Sequence, residues 1–243
     1  MNKLEAILVS LMAGAASNGD AQDAKGPKVG FSTLIANDYV AKPGFVFGSG
    51  PVNQSTLSFS FNDVIRKGDS LSAFGWSNYD LTDGEMHEVD VGVSYSQGFD
   101  VKGGKIRVSA SPQYWFYPSH LIGKFDPAFD AGINYSHKLG NADFLLRNIL
   151  EHDAAPFRQI YYLTFSKTMK KEAFSFTPGV TFSFIRGFPR TDDGLAHITP
   201  RANFKINGKN SSIFWNLGYQ FGVNTEKIKD TPVTSLGISY NFK

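Results

Sequence analysis

Cysteine is absent from the 243-residue chain, which excludes a disulfide framework, a thiolate metal site and a cysteine nucleophile. Charge is sparse as well: Asp, Glu, Lys and Arg make up 19% of residues, with a formal net charge of +2. Nucleic-acid binding usually requires a concentrated basic face, and none is present, so a nucleic-acid partner is not expected. Long apolar runs are missing too. The best stretch, Leu4 to Ala16, falls well short of the roughly 20 residues a spanning helix needs. If this chain crosses a membrane, it crosses with strands.

What is abundant fits strands. Aromatics reach 14%, with 22 Phe and 10 Tyr, and there are 24 Gly; aromatics favour strands and glycines favour turns. A hydrophobic fraction of 42% is too high for a disordered chain, and the length suits one domain. The first residues read MNKLEAILVSLMAGAASNGDAQ: one lysine, an apolar stretch, small residues, then a polar segment. This predicts a secretory signal and short polar segment over 1–20, cleaved between Ala15 and Ala21, although Glu5 interrupts the apolar stretch. The alternative is a short amphipathic helix. A single β domain over 28–243 follows.

Apolar and small polar residues alternate along most of that domain. In TSLGISYNFK, Leu236, Ile238, Tyr240 and Phe242 alternate with Ser235, Gly237, Ser239 and Asn241. The same rhythm sets Leu57, Phe59 and Phe61 against Ser58, Ser60 and Asn62, and Val89, Val91, Val93 and Tyr95 against Glu88, Asp90, Gly92 and Ser94. A period of two means strands with an apolar side and a polar side. About twelve are expected, over 28–40, 54–63, 70–79, 86–96, 105–117, 127–137, 142–151, 157–167, 173–185, 196–206, 211–222 and 232–242. Alternate connections are short and basic or glycine-containing, such as VKGGK and NGKN, whereas the others, such as RGFPRTDDGL, are longer.

The composition of the polar face separates the two ways of burying such strands. A soluble barrel turns a charged face to water, but here the polar face is mostly Ser, Gly, Asn and Thr, an inventory suited to a crowded wet lumen. Tyr79, Tyr95, Tyr114, Phe116, Tyr135, Tyr240 and Phe242 fall near strand ends, where interfacial girdles sit. The expected fold is therefore an all-β transmembrane antiparallel up-and-down β-barrel in the outer membrane of a Gram-negative bacterium. Its partners would be outer-membrane lipid and lipopolysaccharide, and the barrel-assembly machinery through the C-terminal strand. Pro112, Pro178 and Pro200 strain this pattern, because each removes a ladder donor inside a strand and a closed barrel has no edge. Bulges, or strands drawn too long, are the expected resolution.

The stretch WSNYDLTDGEMHEVDVGVSYS, Trp76 to Ser96, followed by SPQYWFYPS, Ser111 to Ser119, resembles the TorF-like porins and related uncharacterised small outer-membrane barrels. NDYV, Asn37 to Val40, is similar to that group's first-strand element, but AKPG, Ala41 to Gly44, replaces its arginine-glycine continuation. The resemblance is clear over the first half of the chain. It implies a small outer-membrane barrel and brings no catalytic residues.

No catalytic set emerges, so an enzyme is not expected. His197 with Thr199, Ser119-His120 and Ser136-His137 are the nearest phospholipase-like pairs, and Asp80, Asp83, Glu85 and His87 are the nearest omptin-like group. His87 reads as a rim residue, His152 as a loop residue and Asp192-Asp193 as a solvated pair. No cofactor or metal is expected. The lumen is the better site: inward parity collects Glu88, Asp90, Arg107, Asp130, Asp143, Arg147, Glu151, Arg201 and Lys205 as expected pore-lining residues. Arg147, Arg201 and Lys205 against Glu88 and Asp90 would set a transverse field across a porin-like path for ions or small polar solutes. The alternative is a non-conducting structural or interaction barrel in which those charges pair internally. It gains weight from Trp115, Tyr117 and Phe214, which share the inward parity.

Overall fold

The computed structural model describes residues 27–38, 40, 50–118, 125–150, 158–188, 192–223 and 228–242. The segment 1–20, with Ser119, His120, Glu151 and His152, lies outside the described residues. Thirteen strands run in chain order: β1 (Lys28–Ala36), β2 (Val52–Asn62), β3 (Asp69–Asp80), β4 (Met86–Val101), β5 (Gly104–Phe116), β6 (Phe125–His137), β7 (Gly140–Ile149), β8 (Arg158–Ser166), β9 (Met169–Lys171), β10 (Phe174–Arg186), β11 (Gly194–Asn207), β12 (Ser211–Gly222) and β13 (Thr231–Phe242). Among the described residues there is no helix. Neighbouring strands are antiparallel, and β13 pairs with β1 from Val29–Phe242 to Ala36–Ser235, closing the sheet. Short β9 continues the line of β8 against β10, so the barrel has twelve staves.

Both termini of the barrel lie at one rim, here the terminal rim, together with the short turns. The longer connections lie at the opposite, loop rim. The β4–β5 turn has only two residues, with Gly103 at φ +87°, a conformation that suits glycine.

The three prolines produce neither bulges nor shortened strands. Around Pro112, β4 and β5 keep one register on both sides, Gly92–Gln113 and Tyr95–Ala110, and two intervening pairs are skipped. Ser111 Oγ donates to Val93 O at 2.9 Å, a hydroxyl replacing the donor that proline lacks. Pro200 does the same between Ile198–Phe221 and Arg201–Gly218. Pro178 faces the gap between β8 and β9, where Lys167 N still donates to Pro178 O at 3.1 Å and Thr168 bonds Thr177. Its effect is to divide one stave into β8 and β9.

Two register shifts do occur, both toward the loop rim. One lies at Asn78/Tyr79, where Asn78 opposes Glu88 but Tyr79 opposes Met86; the other lies at Ser183/Phe184. Each extra residue turns two successive side chains inward, His87 with Glu88 and Ala196 with His197, all buried.

The faces have the polarity of a membrane barrel. On β13, Leu236 is 59% exposed on the outside while Ser235 is 3% exposed inside. Phe59, Val91, Ile133 and Ile213 repeat the outward pattern. A continuous apolar exterior of this kind far exceeds what water tolerates on a soluble monomer, and lipid is its natural solvent. Aromatic side chains crowd both ends of the band. Phe176, Phe204 and Trp215 stack in sequence at 4.9 and 6.0 Å near the terminal rim, and Tyr219 packs on Phe221 at 4.8 Å near the loop rim.

Candidate functional site

Alternation on every stave sends the polar set into the lumen, and the lumen divides along its axis. Toward the terminal rim the wall of β1 to β6 is lined by small residues: Ser32, Ser58, Ser60, Ser72, Ser94, Ser96, Ser109 and Ser136 are all only partly buried. Their hydroxyls keep access to water. Toward the loop rim each stave contributes a side chain no more than 4% exposed: Ala36, Val52, Asn78, Asp90, Trp115, Ala128, Arg147, Ile160, Ser183, His197, Gln220 and Val233. Trp115, Tyr117, Leu145, Ile149, Ile160, Tyr162, Ile185, Phe188 and Ile228 belong to a single buried apolar cluster at that level. The glycines cooperate with this filling. A Cβ on Gly92 would stand 2.6 Å from Phe74 Cζ, and one on Gly237 would stand 2.5 Å from Phe214 Cζ, so both aromatic rings reach inward over glycine.

A charged network sits within the packed level. Asp130 and Arg147 oppose each other on β6 and β7. Arg147 Nε donates to Asp130 Oδ1 at 2.5 Å, and Nη2 pairs with Oδ2. Gln113 donates to the same carboxylate at 2.7 Å, Trp115 donates to Gln113 at 3.2 Å, and the guanidinium lies 4.9 Å over the Trp115 ring. The network runs along the wall of three adjacent staves. Arg147 Nη1 is buried without a hydrogen bond.

Glu88, Asp90, Asp130, Asp143 and Arg147 are buried facing the lumen; Arg107, Arg201 and Lys205 face it partly exposed. Glu151 lies outside the described residues. Arg107 donates to Ser96 Oγ at 2.9 Å, and Asn134 pairs with Asp143. Asp130 meets the charge of Arg147 directly on the adjacent stave. At the loop level the inward Asp80, Glu88, Asp90, Asp126 and Asp130 outnumber Arg147 and Arg158, while further down Lys28, Lys105, Arg107, Lys170, Arg201 and Lys205 outnumber Asp100 and Asp143.

At the loop rim Asp80, Asp83 and His87 bring one ligand-type atom each within 4.8 Å of one another. Their known contacts build the turn. Asp80 Oδ1 accepts from Thr82 N at 2.6 Å, Asp83 Oδ1 from Glu85 N at 2.9 Å, and Asp83 Oδ2 lies 2.9 Å from His87 Nε2. Desolvation pushes the Asp83 carboxyl up, but the Glu85 N–H and His87 outweigh it and hold it below its ordinary value. His87 is therefore buried under the rim by the bulge, a depth its position in the sequence did not indicate. On the other side, His197 Nδ1 lies 3.0 Å from Thr199 Oγ1, and Ser183 stands directly opposite His197. Only the strand register reveals Ser183 as a neighbour.

A closed twelve-stave antiparallel sheet, apolar outside and polar inside, defines a transmembrane β-barrel of the outer-membrane type. No protein-family model matches the sequence, and no curated protein matches it. Among solved structures the chain is similar to an outer-membrane channel from Pseudomonas putida F1, at 12% identity and a TM-score of 0.60, over 92% of this chain and 98% of that one. More distant likenesses are the translocator domain of the autotransporter NalP from Neisseria meningitidis (10% identity, TM-score 0.48, 98% of this chain and 96% of that one) and Salmonella typhi OmpF in complex with daunomycin (9%, 0.46, 89% and 97%). These likenesses concern the fold.

Proposed function

We propose that the protein is an outer-membrane channel of a Gram-negative bacterium for ions or small polar solutes, narrowed at the loop level, and that it has no enzymatic activity. The observation that carries this reading is the hydroxyl-lined, partly exposed half of the lumen, since a barrel serving only as scaffold gains nothing from a wet interior. Support also comes from the similar Pseudomonas putida F1 structure, itself described as a channel, and from the resemblance to TorF-like porins. The axial arrangement of lumen charge presents carboxylates to a solute at the loop mouth and cations at the terminal mouth, so current through the pore is expected to rectify. The non-enzymatic reading is supported at the most suggestive pair: Ser183 Oγ makes no hydrogen bond to His197, and both side chains are sealed from water.

The ring of buried side chains at the loop level favours a second reading, a non-conducting barrel that displays its loops. Planar-bilayer recording of the refolded protein separates the two. Small, rectifying conductance steps that become less asymmetric in Glu88→Gln/Asp90→Asn support the channel; silence at every voltage and salt gradient selects the scaffold.

A further inference from the structure

A surface concavity lies on the lipid-facing wall. This groove of about 560 Å³ opens near the terminal rim across β6, β7, β8 and β10. The sequence explains its shape. Outward positions on β7 carry Phe144 and Leu146 higher up but shrink to Ala142 and Gly140 at the rim. Cross-strand register places Tyr135 and Phe165 on either side of Ala142, and His137 beside Gly140. The Tyr135 and His137 rings stack at 6.1 Å and 17°, forming one wall; Phe165 and Lys167 form the other. Two strand spacings, about 9–10 Å, separate the walls, which is the width of a trough for a hydrocarbon chain. The Pro178 interruption between β8 and β9 forms its far margin.

Cations cluster at the open end. Lys138 and Lys167 are exposed in the connections that border the groove, Lys167 lining it, and Lys171 is exposed on the outward face of β9, with Glu172 as the nearby carboxylate. An apolar trough leading up to ammonium groups at the membrane interface is complementary to an acyl chain bearing a phosphate head. We infer that this groove binds one anionic diacyl phospholipid of the leaflet at the terminal rim, with a chain over Ala142 and Gly140 and the phosphate beside Lys138 and Lys167. The inference depends on membrane residence and is independent of conduction.

Native mass spectrometry of the full-length refolded protein tests it, using phosphatidylglycerol against phosphatidylcholine. The wild type is expected to retain phosphatidylglycerol preferentially. Ala142→Phe, which fills the trough with a strand-favouring residue, abolishes that retention, while Ala73→Phe on the opposite outer wall preserves it. Lys138→Gln and Lys167→Gln each weaken binding by roughly fivefold and together erase the headgroup preference. Heat-modifiable gel migration shows that each variant is folded. Equal retention of both lipids by the wild type, or undiminished retention by folded Ala142→Phe, overturns the inference. Bilayer conductance of Ala142→Phe should match the wild type, so loss of the lipid site and loss of the channel reading register separately.

Discussion

The two halves of the lumen are built from the same alternating strands yet obey different physics. At the terminal half, the wall of β1 to β6 turns inward serines and glycines that are only partly buried, so their polar groups stay within reach of water and individual side chains carry little structural weight. At the loop half, inward positions are large, buried and interlocked. There the Trp115–Gln113–Asp130–Arg147 chain has to satisfy itself, because water is excluded. Side-chain volume, set residue by residue on one polar face, decides which regime applies. The lesson is that inward parity alone does not make a pore-lining residue; depth and neighbours do.

Breaking the sealed half should have the largest effect. Asp130→Ala leaves Arg147 buried and unpaired, and is expected to lower stability in detergent by about 3–5 kcal/mol, measured by denaturant unfolding. A similar or smaller effect comes from the outside of the barrel: Val91→Arg on β4 places a cation against mid-membrane lipid, with an expected cost of about 2–4 kcal/mol and loss of the heat-modifiable form. Ser94→Ala, in the wet half, should stay within about 0.5 kcal/mol of wild type. A large effect there would mean that the terminal half is as tightly packed as the other.

The smallest expected effect is local and depends on pH. Asp83 has its carboxyl lowered in the folded turn, so its contribution is complete above the ordinary aspartate value and is lost only as pH falls through the depressed one. Hydrogen exchange across Asp80–His87 should therefore stay slow down to the normal carboxylate range and quicken below it, whereas Asp83→Asn should remove that acid step.

Much of this architecture was legible from alternation. The twelve staves and their faces follow from period-two patterning, although β4 runs to Val101, five residues past its expected end, and one stave is divided into β8 and β9. What escaped depended on contacts between strands. Pro112 is tolerated because Ser111 supplies a hydroxyl to Val93, and that relation exists only once β4 and β5 are in register. His87 reads as a rim residue until a bulge turns it inward beside Glu88. Arg147 and Asp130 appeared on opposite sides of a charge balance, yet the register makes them direct neighbours that cancel. The groove over Ala142 was likewise hidden, since its walls come from two other strands.

The absence of native cysteine allows the division of the lumen to be measured directly. Ser94→Cys and Ser183→Cys are near-isosteric changes, one in each half, and Ser183 Oγ has no hydrogen bond to lose. In the folded protein in lipid, a small water-soluble thiol reagent should label Cys at 94 readily and leave Cys at 183 untouched until the barrel is unfolded. Equal labelling of both sites, or protection of both, would contradict a lumen that is wet at the terminal half and sealed at the loop half.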